Sequence, residues 1–314
     1  MSEEEEVFDR QTRLWGADAQ KRIRTSRVLI RGQLQGLASE LCKNLVLAGV
    51  NISIYDDSPV KEEDLYTNIF LRNENIGKPR AESMLPGLKE MNPFANVDLA
   101  SDVEKIDQLN IVISIGEDFE TMKNIGKVCR EKCVPIIAAR SAGTLAFALI
   151  DLGVKYEFQV EGKTTGERKI ISYPPLIDIL TFSDWKALPK GRMAFPFGFF
   201  SFWLLVELDK ISADKSTGIL TKKLKDASFE DQLDELIKSK AELIPETEQE
   251  IVKKGVMILR RMTSLAPVCT IFGGLIGQEV LKVVSGQGEP IQNILFFDAK
   301  TTGAIVRLVP PNKA

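Results

Sequence analysis

The chain has no histidine among its 314 residues. That absence removes Ser-His-Asp and Cys-His nucleophilic arrangements from this polypeptide. It also removes every zinc site built on imidazole. Only four cysteines occur, Cys42, Cys129, Cys133 and Cys269, and no two form a C-x-x-C pair. Four scattered thiols make a poor zinc site, and a reducing compartment is expected for them. Charge of either sign is in little excess: 41 basic side chains face 44 acidic ones, for a net charge of -3. No broad basic field attracts nucleic acid or an anionic membrane, so neither is expected as a partner. The opening MSEEEE lacks the cationic and apolar segments of a secretory signal. Residues 1–7 are expected to form an acidic, flexible terminus. The most apolar run, AFPFGFFSFWLLV at 194–206, is shorter than the about 20 residues of a membrane span. It reads as a buried helix and its approach. No P-loop motif G-x-x-x-x-G-K-[ST] is present.

What is present is a strand–helix rhythm. RVLIR (27–31) reads as a buried strand, Gly32 to Gly36 as a turn, and 37–49 as a helix ending at Gly49. Further strands are expected at 51–57, 97–102, 110–116 and 134–140, with helices at 76–93 and 118–132. Strands alternating with helices imply a parallel, doubly wound sheet. The rhythm changes after residue 143. Longer, antiparallel strands with a glycine-containing turn are expected over 144–175, and charged helices over 183–262. A more hydrophobic helix follows at 266–286, then a closing hairpin at 293–309. The fold class is α/β: a Rossmann-like mixed sheet with a mainly helical insertion.

The first turn reads Gly32-Gln-Leu-Gln-Gly36-Leu-Ala38. A dinucleotide turn is G-x-G-x-x-G. Here Gln33 stands where a glycine lets the backbone approach phosphate, and Ala38 where a glycine packs helix on strand. Asp56 lies where an acidic group takes ribose hydroxyls. Two readings stay open: a competent NAD or ATP site, or an ordinary α/β turn that keeps the fold without nucleotide. The spacing favours the second.

Several segments carry a family resemblance. FDRQTRLWG, AQKRIRTSRVLI, KNLVLAGV and IGKPRAES together resemble the ubiquitin-activating, ThiF-like adenylation superfamily. YPPLIDILTFSDW (173–185) and residues 265–299 narrow this to a similarity with the smaller, Aos-type subunits of heterodimeric SUMO-activating enzymes. The resemblance covers 7–152 and 264–308. It implies an adenylation fold over 8–182 and 263–314, with 183–262 as a helical insertion lacking a catalytic cysteine. It implies a larger catalytic subunit as partner, and SUMO reached through the complex. ATP and Mg²⁺ would be bound mainly by that partner, and none stably by this chain alone. It implies residence in the nucleus, with the cytoplasm kept open as a second compartment.

In such enzymes the smaller subunit supplies an arginine across the interface. The match here is Arg10 of Asp9-Arg10-Gln11, with Arg13 as a weaker candidate that could equally be structural. Arginine stays charged and offers a planar fork of donors to phosphate oxygens. Supplied in trans, it makes activity depend on assembly. By the same resemblance Gly32, Gly36, Asp56, Lys78 and Asp118 are the remnants of a vestigial nucleotide pocket. Leu65 to Arg72 lacks the arginine that active halves place before the phenylalanine, and Arg80 stands where they have lysine.

Among the cysteines, Cys133 lies closest to basic neighbours, which lower a thiol pKa; a structural role is favoured for all four. Gly273, Gly274 and Gly277 fall inside a helix, where glycine costs about 1 kcal/mol against alanine. They imply close packing, either within this chain or against a paired adenylation fold. Competing readings are a self-sufficient homodimeric adenylyltransferase of the ThiF/MoeB kind, a NAD-dependent oxidoreductase, and a scaffold that never touches ATP.

Overall fold

A computed structural model describes residues 3–100, 103–160, 167–182, 197–211, 226–242, 244, 246–261, 263–300 and 303–307. Two helices, α1 (Glu3–Trp15) and α2 (Ala17–Thr25), lead into β1 (Arg27–Gly32), α3 (Gly36–Leu47) and β2 (Asn51–Tyr55). A crossover with short 3-10 turns at Glu62–Tyr66 and Asn73–Asn75 reaches α4 (Arg80–Met91) and β3 (Val97–Leu99). Then come β4 (Ile111–Ile115), α5 (Phe119–Glu131), β5 (Ile136–Ala142) and β6 (Leu145–Asp151). A small hairpin follows, β7 (Tyr156–Gln159) and β8 (Arg168–Ile171). Helices α6 (Leu176–Leu180), α7 (Phe197–Ile211), α8 (Asp226–Ser239), α9 (Glu246–Arg261) and α10 (Ala266–Ser285) precede the closing pair, β9 (Ile294–Asp298) and β10 (Gly303–Arg307).

The main sheet has eight strands in the order β10-β9-β6-β5-β4-β1-β2-β3. The stretch from β3 to β5 is parallel, whereas β6, β9 and β10 run antiparallel. The expected doubly wound half and antiparallel closure are thus one mixed sheet. Strand order reverses between β1 and β4, which places Gly32 and Gly116 at the crevice where such sheets take ligands.

Alternate residues of each strand feed two cores. Val28, Ile30 and Ile113 pack with α3, α4 and α10; Leu29, Val112 and Ile136 pack with α5 to α9. The expected helical insertion is therefore the second covering layer: Trp203, Leu233 and Val256 share the core of Leu29 and Phe296. Burial on both faces explains why β4 is apolar at nearly every position.

Some boundaries differ from the sequence pattern. Residues 3–7, expected to be flexible, form the first turns of α1, with four glutamates next to its positive N-terminal end. The helix expected at 76–93 begins only at Arg80, because Pro79 biases residue 78 away from helical backbone. Residues 161–166, 183–196 and those beyond 307, which fall in the expected antiparallel strands, helical insertion and closing hairpin, lie outside the described residues. Among the described residues α10 alone is long and apolar enough to cross a membrane, yet 56% of its apolar window is buried in this fold.

Candidate functional site

Gly32 ends β1 at φ +99, and a Cβ there would meet the Ile115 carbonyl at 2.3 Å. Only glycine fits where β1 and β4 lie this close. The Gln33 amide donates to that carbonyl at 2.7 Å. The Gln33 side chain lies over Gly116, so the place where phosphate would approach holds a side chain of the protein. Gly36 starts α3, and a Cβ on it would stand 2.6 Å from Thr67 Cβ. Its small size is required by the crossover pressing on the turn.

The turn that leads into α3 already has a buried anion beside it. Asp56, 6% exposed, accepts from the Leu34 amide through Oδ2 at 2.8 Å and from the Ser58 amide through Oδ1 at 3.0 Å. Arg80 pairs with the same Oδ2 through Nη1. Its Nε and Nη2 donate to Asp64 Oδ2 at 3.1 and 3.0 Å. Asp64 Oδ1 accepts from Gln35 Nε2 at 2.9 Å, and Oδ2 also takes the Lys61 amide at 2.9 Å. Arg80 is 3% exposed and Asp64 1%. Asn68, also buried, donates to the Leu34 carbonyl at 2.8 Å. Asp64 and Gln35 carry no motif of their own in the sequence. The one local trace is the three-residue spacing of Lys61 and Asp64 across a helix start.

Other expected pocket residues stand apart from this cluster. Lys78 is exposed, and its carbonyl accepts from the Val60 amide. Asp118 caps α5, with Oδ1 accepting from the Thr121 amide at 2.8 Å. Arg72 turns its guanidinium onto the Ile69 and Leu71 carbonyls of its own loop. Beside Asp118, Glu117 pairs with Arg31 at 3.1 Å. Burial pushes the Glu117 carboxyl above the ordinary value of 4.5, against the pull of the Arg31 charge. Arg31 also lies over the Tyr55 ring, 5.7 Å from its centre.

Two groups that such a turn would offer a nucleotide, Asp56 and the backbone at Gly116, are covered by Arg80 and Gln33 of the chain itself. The ribose-type carboxylate already holds the Leu34 amide of the turn and a buried cation. An adenosine ribose and triphosphate would have to displace Arg80 and Gln33.

Arg10 stands elsewhere. Phe8 anchors α1: it is 3% exposed, meets Phe94 edge-on at 6.2 Å, and lies under the Arg24 guanidinium at 5.5 Å. Gln11 Nε2 donates to the Leu47 carbonyl at 3.5 Å. These contacts fix α1 at the C-terminal end of α3, whereas the glycine turn is at its N-terminal end. At about 1.5 Å per residue the 12-residue α3 separates the two by about 18 Å. Arg10 is exposed, and no described residue forms an ion pair or hydrogen bond with its side chain. Arg13, 78% exposed, pairs with Asp9 at 3.0 Å one turn earlier.

The cysteines divide by burial. Cys42 and Cys129 are buried and pushed up to about 12, and burial raises Cys269 too. Such thiols are poor nucleophiles at neutral pH. Cys133 is exposed, just past α5, with φ 55. The α10 glycines also divide. Gly273 packs on Glu40 and Leu41 of α3, and Gly277 near Asn44, so both serve contacts within the chain. Gly274 faces open space, on a surface with Ile271, 50% exposed.

Comparison with known proteins agrees with this architecture. The chain is 29% identical over 320 residues to a SUMO-activating enzyme subunit 1B-1 of Arabidopsis thaliana, covering 97% of this chain and 95% of that protein. It is 28% identical over 349 residues to the human SUMO-activating enzyme subunit 1, covering 99% of this chain and 97% of that protein. The Xenopus laevis subunit 1 is 28% identical over 341 residues, covering 98% and 96%. The ThiF family model matches residues 8–313, and the chain belongs to the ThiF family.

Proposed function

We propose that this chain is the non-catalytic subunit of a SUMO-activating enzyme. In this reading a larger subunit binds ATP and Mg²⁺ and carries the catalytic cysteine. There the SUMO C-terminal carboxylate attacks the α-phosphorus. The bond to pyrophosphate breaks, leaving an acyl-adenylate; the partner's thiolate then attacks its carbonyl carbon, forming the thioester and releasing AMP. This chain contributes Arg10 in trans to the phosphates, and the nucleus is the compartment where the pair works.

The observation that carries the reading is the split of cations. Arg80, beside the chain's own turn, is consumed by two carboxylates, while α1 holds Arg10 exposed at the far end of α3. A guanidinium exposed so far from its own turn supports a role on another molecule. Near full-length similarity to proteins named as subunit 1 supports the same reading. The seat for the larger subunit is the apolar surface of Tyr66 and Ile69 from the crossover with Leu265, Ile271 and Gly274 of the α10 region. Tyr66 is 76% exposed, and Thr67 of the crossover and Cys269 of α10 both lie against Gly36, which brings the two elements to the same turn.

ATP–pyrophosphate exchange tests this. The chain alone should show none, and with a larger SUMO-activating subunit exchange should appear. Arg10→Ala should cut the complex's rate by about 1,000-fold or more, the scale of a phosphate-binding arginine supplied in trans. Exchange by the chain alone would refute the subunit reading. Full activity of the variant complex would remove the role of Arg10.

A further inference from the structure

We infer that the buried Arg80–Asp56–Asp64 cluster acts as an internal ligand, holding the crossover against the glycine turn so that the partner-docking face is formed without nucleotide. This rests on the reading above that a larger subunit seats on that face.

Two carboxylates and one guanidinium, at 6%, 1% and 3% exposure, are shielded from water. Buried charges persist only when geometry and extra donors satisfy every atom. Here all four carboxylate oxygens accept. Asp56 takes the Ser58 and Leu34 amides and Arg80. Asp64 takes Gln35, the Lys61 amide and the other side of Arg80. The donors come from four places: the glycine turn, the end of β2, the crossover and the first residue of α4. Arg80 thus clamps Asp56 to Asp64 within 56–80, and those two carboxylates hold the Leu34 amide and the Gln35 side chain of segment 33–36.

A nucleotide at such a turn performs the same physical tasks. It brings negative charge to the helix N-terminus and engages the acidic side chain after β2. In this chain Asp56 brings negative charge to the Leu34 amide of the turn, just ahead of α3, and Arg80 engages that acid. With that network closed, Asn68 reaches the Leu34 carbonyl, Thr67 presses on Gly36, and Tyr66 and Ile69 are left facing outward beside α10. Arg80 is thus a positioning residue for assembly, and it touches no substrate.

Hydrogen–deuterium exchange on the chain alone tests the latch directly, with wild type, Arg80→Lys and Asp64→Asn. Lysine keeps the charge but lacks the fork that bridges two carboxylates. Wild-type segments 33–36 and 56–72 should already be protected, and millimolar ATP should add nothing. Both variants should exchange at least tenfold faster there, while β4 and β5 stay protected. In the complex, each variant should need at least tenfold more chain for half-maximal pyrophosphate exchange yet reach the wild-type rate at saturation. Unchanged protection in the variants, added protection by ATP in wild type, or a lowered rate at saturation would overturn the proposal. Failure of wild type to bind any larger subunit would instead defeat the subunit reading, and the single-chain exchange would still judge the latch.

Discussion

Arg10 and Arg80 are the same side chain in opposite settings. Arg80 sits among carboxylates at 3% exposure and makes ion pairs to two of them. Arg10 lies on an acidic helix, exposed and without a described partner. A buried guanidinium is held by its neighbours, because separating it from them leaves charges in a poor solvent. An exposed one is free to meet a phosphate. Residue type says little about which arginine serves ligand and which serves fold; surroundings decide.

The sharpest break in this comparison is stability. Arg80→Ala should destabilise the chain by about 3–5 kcal/mol, since it leaves two buried carboxylates unpaired. Arg10→Ala should stay within about 0.5 kcal/mol of wild type. Urea unfolding of each variant measures both, and equal losses would erase the distinction.

Glycines repeat the contrast on a smaller scale. Gly36→Ala should lose about 1–3 kcal/mol in the absence of any nucleotide, because Thr67 must move aside. Gly274→Ala, facing open space, should gain about 1 kcal/mol from helix propensity. The same unfolding experiment reads them. A neutral Gly36→Ala would mean that the crossover does not press on the turn.

The smallest effect concerns Glu117, the carboxylate beside the turn that Arg31 only partly compensates. Burial holds its folded value above 4.5. The protonated form is therefore favoured by folding, and stability falls as pH rises from 4.5 through the raised value. Burial raises Asp151 in the same sense, so part of the slope belongs to that residue. Glu117→Gln should flatten the decline in melting temperature over this window without abolishing it. A variant with the wild-type slope would assign the decline elsewhere.

Much of the fold was legible because burial imposes periodicity. The run NIVISIG fits a central strand apolar on both faces, and β4 is that strand. The hydrophobic helix expected at 266–286 is α10. The glycine at the end of the first strand marked a tight turn, and Gly32 does take φ +99 there. The α10 glycines could not be assigned from spacing alone, because a glycine that meets α3 and one that meets solvent look identical in sequence. Nor could the cluster be read: Gln35, Asp56, Asp64 and Arg80 are spread over 46 positions with no repeated spacing, and only the crossover brings them together.

The sequence by itself determined the strand–helix order, the lack of a histidine base and the family of the fold, since these depend on composition and local pattern. Only the tertiary structure decided which charges are spent within the chain and which face outward. Charge pairing depends on distance and water exclusion, and both are set by how remote segments pack.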